Sequence, residues 1–393
     1  MEAIAKAPPT ALPGRPPSPL YLPALPTLWP HMLAERAATA LPFPFAAESV
    51  SYHYFARNAV WAAVRIFALA HREVLVPAYH HGVEIEALVD AGAVPRFYPV
   101  GPTLRLDPRE VLDRLGPATG AVYVIHYLGF PQPLDELLDA CRARGIPLIE
   151  DCALSLLSSD GERPLGSRGD ASIFCLYKTL PVPNGGALVL NGAAPRGLPR
   201  PTQPSWSAMA SHLAGALLRN LRLRGGTAGA LAADTLRTMG RTLAWGLGGE
   251  RVPTGTQHFE RKNVALGMSP ISSRIVGAQS FSRIVEARRR NFFFLLGRLR
   301  DLVSPATAEL PPGVCPLFFP IEVQDKERVR RRLALRGIEA VDFWRQGHPA
   351  VRSGEFPEVD RLRAQLLELP IHQDLGPAAM QYLAATVREA VHG

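Results

Sequence analysis

The sequence predicts an α/β protein, with a mostly parallel central sheet sandwiched by helices and a smaller C-terminal α/β domain. Three observations carry this. From Glu73 to Glu150, short apolar runs bounded by turn residues alternate with stretches of helical periodicity, as in a parallel sheet with helical crossovers. Two apolar runs stop at a charge, one at Asp151 and one at Lys178, which places both at or near strand ends, where open sheets hold their ligands. A length of 393 residues with 47% hydrophobic content supports two packed cores.

Taken in order, residues 1 to about 30 contain nine prolines and build no core; they read as an extended or disordered arm. His53 to Leu69 reads as a loop entering a helix, with Asn58 as N-cap and Ala59, Ala62, Ala63, Ile66 and Phe67 as its apolar face. The free N–H groups at such a helix start suit a phosphate. Strands are predicted at Glu73 to Ala78, Val94 to Val100, Ala121 to His126 and Ile146 to Glu150, with helices at Val83 to Ala91, Pro108 to Leu115 and Leu134 to Arg144. Trp206 to Arg224 and Thr227 to Leu247 read as two amphipathic helices that pack on the core or at a subunit interface, in preference to a membrane surface touched by 205–248. Ser272 to Leu302 reads as one long helix. After it come a strand (Pro316 to Val323), a helix (Lys326 to Arg336), a strand (Ile338 to Phe343) and helices near Val359 to Leu366 and Pro377 to His392.

Composition narrows the function. The formal charge is +8, but zinc-finger, basic-helix and aromatic RNA-binding patterns are missing, so no nucleic-acid partner is expected. The four cysteines have neither disulfide nor metal spacing, and the opening stretch lacks an apolar signal region, so a reducing cytoplasm is expected. The adjacent His80 and His81 have no third ligand nearby, so no metal is expected.

Lys178 is the residue of most interest. The chain has four lysines among its 43 basic residues, and this one lies inside a hydrophobic segment. A desolvated amine can shed its proton and attack a carbonyl, which a guanidinium does not do. A lysine whose stem alone is buried, or a structural ion pair with Asp151, would use the same residues.

Several motifs together extend the reading. Glu150-Asp151-Cys152-Ala153, Gly169-Asp170, Phe174-Cys175, Lys178 and Gly185-Gly186 resemble the DegT/DnrJ/StrS aminotransferases. Glu73 to Tyr79, Val124 to Gly129, Arg336 to Glu339 and Leu367 to His372 do so in the same order, so the likeness covers about residues 45 to 390.

The resemblance implies a pyridoxal-phosphate (PLP) enzyme of aminotransferase fold type I. Lys178 would hold the cofactor and then act as the base, and Asp151 would keep its ring nitrogen protonated. His81 would stack on the ring, and Ala56, Arg57, Asn58 and Cys175 would surround its phosphate. His126, Tyr79, Trp344 and His348 are the candidates for substrate contact. The family's Ser-Gly-Thr phosphate turn is replaced by Phe55-Ala56-Arg57, and its ring-contacting Gln by Leu154, leaving Ser155 as a substitute. Its Asn-Tyr-Arg element is not matched at Leu266-Gly267-Met268.

The resemblance further implies transfer of an amine, from glutamate, to a keto group on a nucleotide-activated sugar, in a homodimer whose arm docks through Leu25 to Leu33. The expected division is a Pro-rich arm (1–44), a large domain (45–264, with a helical insert at 192–264), a connecting helix (265–302) and a small domain (303–393). Another PLP reaction (a lyase, dehydratase or synthase) and a non-catalytic PLP-binding or docking protein are the alternatives. The family's dehydratases carry His in place of the lysine, which Lys178 argues against.

Overall fold

A computed structural model of the chain describes residues 20–34, 40–161, 163–192, 197–246, 258–304, 307–342 and 344–392. The arm before residue 20, residues 193–196 and 247–257 of the expected insert, and Phe343 lie outside the described residues.

The predicted alternation is present. In chain order the elements are β1 (Val50–His53), α1 (Ala56–Ile66), β2 (Glu73–Pro77), α2 (Val83–Asp90), β3 (Val94–Tyr98), α3 (Pro108–Leu112), β4 (Thr119–Ile125), α4 (Asp135–Arg144), β5 (Leu148–Asp151), β6 (Ala171–Cys175), α5 (Leu176–Thr179) and β7 (Gly186–Leu190). Among the described residues these strands form one sheet in the order β1-β7-β6-β5-β4-β2-β3. β2 to β6 pair in parallel, while β7 and β1 are antiparallel to their neighbours.

Every residue of β4, β5 and β6 is buried, as expected of strands covered on both faces. Side chains alternate between two cores: Ala121, Tyr123 and Ile125 join Ala59 and Ile85 on one face, while Val122 and Val124 join Leu137 and Leu148 on the other. β3 and β4 flank β2, so the chain leaves β2 first to one side and then to the other. That reversal opens a crevice at the strands' C-terminal ends, the usual ligand position in such sheets.

The remainder follows as α6 (Trp206–Arg224), α7 (Gly226–Gly246), α8 (Pro270–Gly277), α9 (Phe281–Leu299), β8 (Phe318–Glu322), α10 (Lys326–Leu335), α11 (Pro357–Gln365), β9 (Leu366–Pro370) and α12 (Pro377–His392). β8 and β9 form a two-stranded antiparallel sheet whose core includes Phe292, Phe319, Leu333 and Leu383.

Three expectations need correction. The single helix expected over Ser272–Leu302 is α8 and α9, because Ser280 is extended (φ −92°, ψ 90°) and starts a second helix. Of the strand expected over Ile338 to Phe343, the described residues 338–342 form none. Their backbone makes isolated bridges only, Ile338 to Leu22 of the arm and Val341 to Glu368, and β8 pairs with β9 instead. Asn58 is not an N-cap: the cap position is Phe55, and Asn58 sits inside α1 with its amide donating to the Asn263 carbonyl at 2.7 Å.

The arm docks within its own chain. Leu22 exchanges backbone hydrogen bonds with Gly337 and Glu339, Thr27 donates to Asp374, and Leu28 is fully buried. α6 packs Ala216 into the core that holds Leu28 and Ile275, and Asn220 donates to Thr27 at 2.9 Å. α7 lies against α6 and leaves Leu231, Leu236 and Met239 exposed. No helix of the described residues is long and apolar enough to cross a membrane.

Candidate active site

A cavity of about 390 Å³ opens at the C-terminal ends of β4, β5 and β6. Asp151 reaches it because β5 ends there, and Lys178 because α5 is a single turn that follows β6 directly. The start of α1 supplies Ala56 and Arg57 from the opposite side. Gly186 makes that approach possible. A Cβ there would stand 2.5 Å from the Ala56 nitrogen, so only glycine lets β7 run against the helix start. Arg57 is buried with its guanidinium 3.9 Å from the centre of the Phe55 ring.

His81 lines the cavity from the loop between β2 and α2, and Cys175 from the end of β6. Seven of the residues singled out from sequence therefore share one cavity: Ala56, Arg57, His81, Asp151, Cys175, Lys178 and Trp344.

Four others do not line it. Asn58 is turned to Asn263. Tyr79 is fully buried behind Trp344, with ring centroids 4.8 Å apart. His126 is a satisfied core histidine: its Nδ1 accepts from Gln132 N and its Nε2 donates to Glu150 at 2.9 Å. Its ring is therefore fully engaged, so the cluster His126, Glu150 and Cys152 has no histidine lone pair left for a metal. His348 lies beyond His80, to which its backbone N–H donates. Ser155 does not replace the missing Gln either. It is buried and donates to the His126 carbonyl at 2.6 Å, while Leu154 lines the cavity.

The acid of the site is well held. Tyr123 Oη donates to Asp151 Oδ2 at 2.6 Å and Ala153 N to Oδ1 at 2.8 Å. Burial, and then the nearby Glu84 carboxylate, push the Asp151 pKa up to about 6, against the pull of these donors and of Lys178. Burial above all, then the charges of Lys178, Arg57 and Arg363, bring His81 down to about 4, so its ring is neutral at neutral pH.

Two contributors escaped the sequence reading. Tyr123 sits inside an apolar strand, where period-two alternation with Ile125 would have placed it on the same sheet face. Glu84 stands in the first turn of α2, where an acid usually complements the helix dipole, yet here it is buried and lines the cavity.

Residues 56–195 match the DegT/DnrJ/EryC1/StrS aminotransferase family. L-glutamine:scyllo-inosose aminotransferase of Streptomyces griseus is 37% identical over 124 residues, which is 31% of this chain and 29% of that protein. GDP-perosamine synthase of Vibrio cholerae is 31% identical over 122 residues, 30% of this chain and 33% of that protein. The matched segment thus spans about a third of the length of these curated relatives.

Among solved structures, the aminotransferase TlmJ from Streptoalloteichus hindustanus superposes with a TM-score of 0.61 at 21% identity, covering 87% of this chain and 86% of that one. PseC of Helicobacter pylori, an aminotransferase involved in the biosynthesis of pseudoaminic acid, gives 0.64 at 14% identity over 95% and 99%. At those identities the likeness is one of fold. Residues 56–195, which carry the helix start, Asp151 and Lys178 of the cavity, match the DegT/DnrJ/EryC1/StrS aminotransferase family by sequence, and the fold resembles that of aminotransferases of known structure over 87% to 95% of the chain.

Proposed function

We propose that this chain is a PLP-dependent aminotransferase that moves an amine from an amino acid, glutamate by resemblance, to a keto group on a nucleotide-activated sugar. The observation that carries this is the meeting of Asp151, Lys178 and the N-terminus of α1 in one buried cavity. The residues fit the cofactor. Asp151 offers a buried carboxylate to the ring nitrogen, Lys178 an amine to the aldehyde, and the cradle kept open by Gly186 brings helix N–H groups and Arg57 to the phosphate. Neutral His81 would cover a face of the ring, and Cys175 would lie beside the phosphate.

When bound, the cofactor supplies an electron sink for bonds at the donor's α carbon, which requires a protonated ring nitrogen. Asp151, mostly ionised at neutral pH, holds that proton by charge pairing. Lys178 Nζ would serve as the base that takes the proton from the donor's α carbon. Apolar Leu154, Val60 and Leu25 on the cavity wall help exclude water.

The relatives that are named for an inosose and for GDP-perosamine support a cyclic polyol or sugar ketone as acceptor. The resemblance supports a homodimer and a cytoplasmic setting. The two separate sheets and cores support a large domain (45–264) and a small one (303–393), with 265–302 between them.

Absorbance spectroscopy tests the reading. The purified protein should carry a visible cofactor band that Lys178→Ala abolishes, and glutamate should convert to 2-oxoglutarate in a half-reaction. Wild-type protein reconstituted with PLP that shows no such band overturns it.

A further inference from the structure

Arg363, near the end of α11, grips three backbone carbonyls from two distant segments. Nη2 donates to the carbonyls of Ala78 and His80, each at 3.1 Å, and Nη1 donates to the carbonyl of Trp344. Ala78 and His80 belong to the loop between β2 and α2, which carries His81 into the cavity, whereas Trp344 lines the cavity from the C-terminal part of the chain. The guanidinium carbon stands 5.4 Å from the centre of the Tyr79 ring, between the two carbonyls of that loop. The Arg363 carbonyl in turn accepts from Lys326 Nζ, which pairs with Asp342 at 2.6 Å.

The two segments are built to meet at this point. His80 Nε2 accepts the His348 backbone N–H at 2.8 Å, while its Nδ1 donates to the Pro77 carbonyl at 2.9 Å. A Cβ on Gly347 would collide with Arg363 Nη2 and stand 3.2 Å from His80 Nε2, so glycine lets the 344–348 segment close over both. Trp344 has a φ of 60°, a left-handed conformation that a bulky residue keeps only where its surroundings hold it. Arg363 holds it by the carbonyl.

A planar fork reaches several carbonyls in fixed directions, which a single ammonium or an apolar side chain does not do. We propose that Arg363 is a positioning residue for the cofactor. By holding the Ala78 and His80 carbonyls against the Trp344 segment, it fixes the direction in which His81 enters the cavity, and so the face that His81 lays on the ring. Arg363 is not among the residues that line the cavity, so its effect reaches the cofactor through His81. The inference rests on the reading of this cavity as a PLP site.

A double-mutant cycle tests it, with PLP affinity of the cofactor-free protein measured by fluorescence titration for Arg363→Met, His81→Ala and the two combined. Methionine keeps an apolar stem and removes the fork. Arg363→Met alone should weaken binding about tenfold, as is expected of His81→Ala. Combined, the two should lose no more than about threefold beyond His81→Ala, because the arginine then has no ring left to position. Gly347→Ala pushes the 344–348 segment off the guanidinium and should weaken PLP in the same way. It takes the place of Arg363→Met in the cycle if thermal melting shows the arginine variant to be unfolded.

Losses that multiply in the double variant would make Arg363 an independent support of the fold, and overturn the proposal. A folded Arg363→Met that binds PLP within about threefold of wild type, whatever its melting temperature, overturns it equally. Failure of wild-type protein to bind PLP at all would instead remove the underlying reading.

Discussion

Tyr123 Oη donates to Asp151 Oδ2 at 2.6 Å, inside a region from which water is excluded on every side but the cavity. A hydroxyl bonded to a carboxylate favours its charged form, so this contact keeps Asp151 near 6 when burial alone would send it higher. Tyr123→Phe removes the donor and raises the Asp151 pKa. Since the ionised form holds the ring nitrogen's proton, cofactor retention should fall off on the acid side at a pH about one unit higher than in wild type. Retention against pH, read by visible absorbance after rapid desalting, checks this. An unchanged profile would mean that Asp151 does not govern retention.

Asp151 also sets a stability cost in the cofactor-free protein. Its pKa rises from 3.8 to about 6 on folding, the reverse of the usual aspartate. The folded state then binds more protons than the unfolded one between these values, so stability is present in full at low pH and falls as pH rises through 6. The loss is on the order of 3 kcal/mol. Asp151→Asn carries no charge and should melt higher than wild type at pH 7.5 without cofactor, while losing turnover. The advantage should vanish near pH 4. Equal melting at both pH values would contradict the burial argument.

Gly186→Ala probes the cradle. The added methyl would meet the Ala56 nitrogen and Phe55 carbonyl carbon, each 2.5 Å away, and both are backbone atoms that no side-chain rotation can move aside. β7 and α1 must separate, which should cost about 1–3 kcal/mol of stability and loosen the phosphate end of the site. The expected result is a lower melting temperature together with cofactor affinity reduced by about tenfold or more. Gly116→Ala, with open space around it, serves as the neutral control.

The inner sheet was legible because β2, β4, β5 and β6 are buried almost throughout and so read as apolar runs, whereas the edge strand β3 alternates exposed and half-buried residues. Asp151 and Lys178 were legible because each ends such a run with a charge. β9 was harder: Glu368 sits at its centre and is fully buried, which breaks the apolar pattern. The break between α8 and α9 carries no Pro to mark it, only Ala278-Gln279-Ser280. His126 and Tyr79 misled because a residue at a strand's end can as easily point into the core. His126 is bound there by Glu150, which also accepts the backbone N–H groups of Gly166, Arg168 and Gly169. Glu84 went unnoticed because nothing in a helix's first turn distinguishes a buried acid from a solvated one.

His81 offers the last test, since its expected role depends on the ring being uncharged. Burial, then Lys178, Arg57 and Arg363, lower its pKa to about 4, so a stacking ring should be insensitive to pH between 6 and 8. A protonated imidazole beside a pyridinium would repel it; a neutral ring contributes dispersion and face contact, worth about 0.5–1.5 kcal/mol. His81→Phe preserves a flat neutral ring and should hold PLP within about threefold of wild type, whereas His81→Ala should lose about tenfold. Both keep the backbone N–H that Glu84 accepts, so helix α2 is undisturbed. If phenylalanine fails as badly as alanine, the imidazole nitrogen makes a contact that stacking does not describe, and His81 belongs with the groups that bond the cofactor or its substrate.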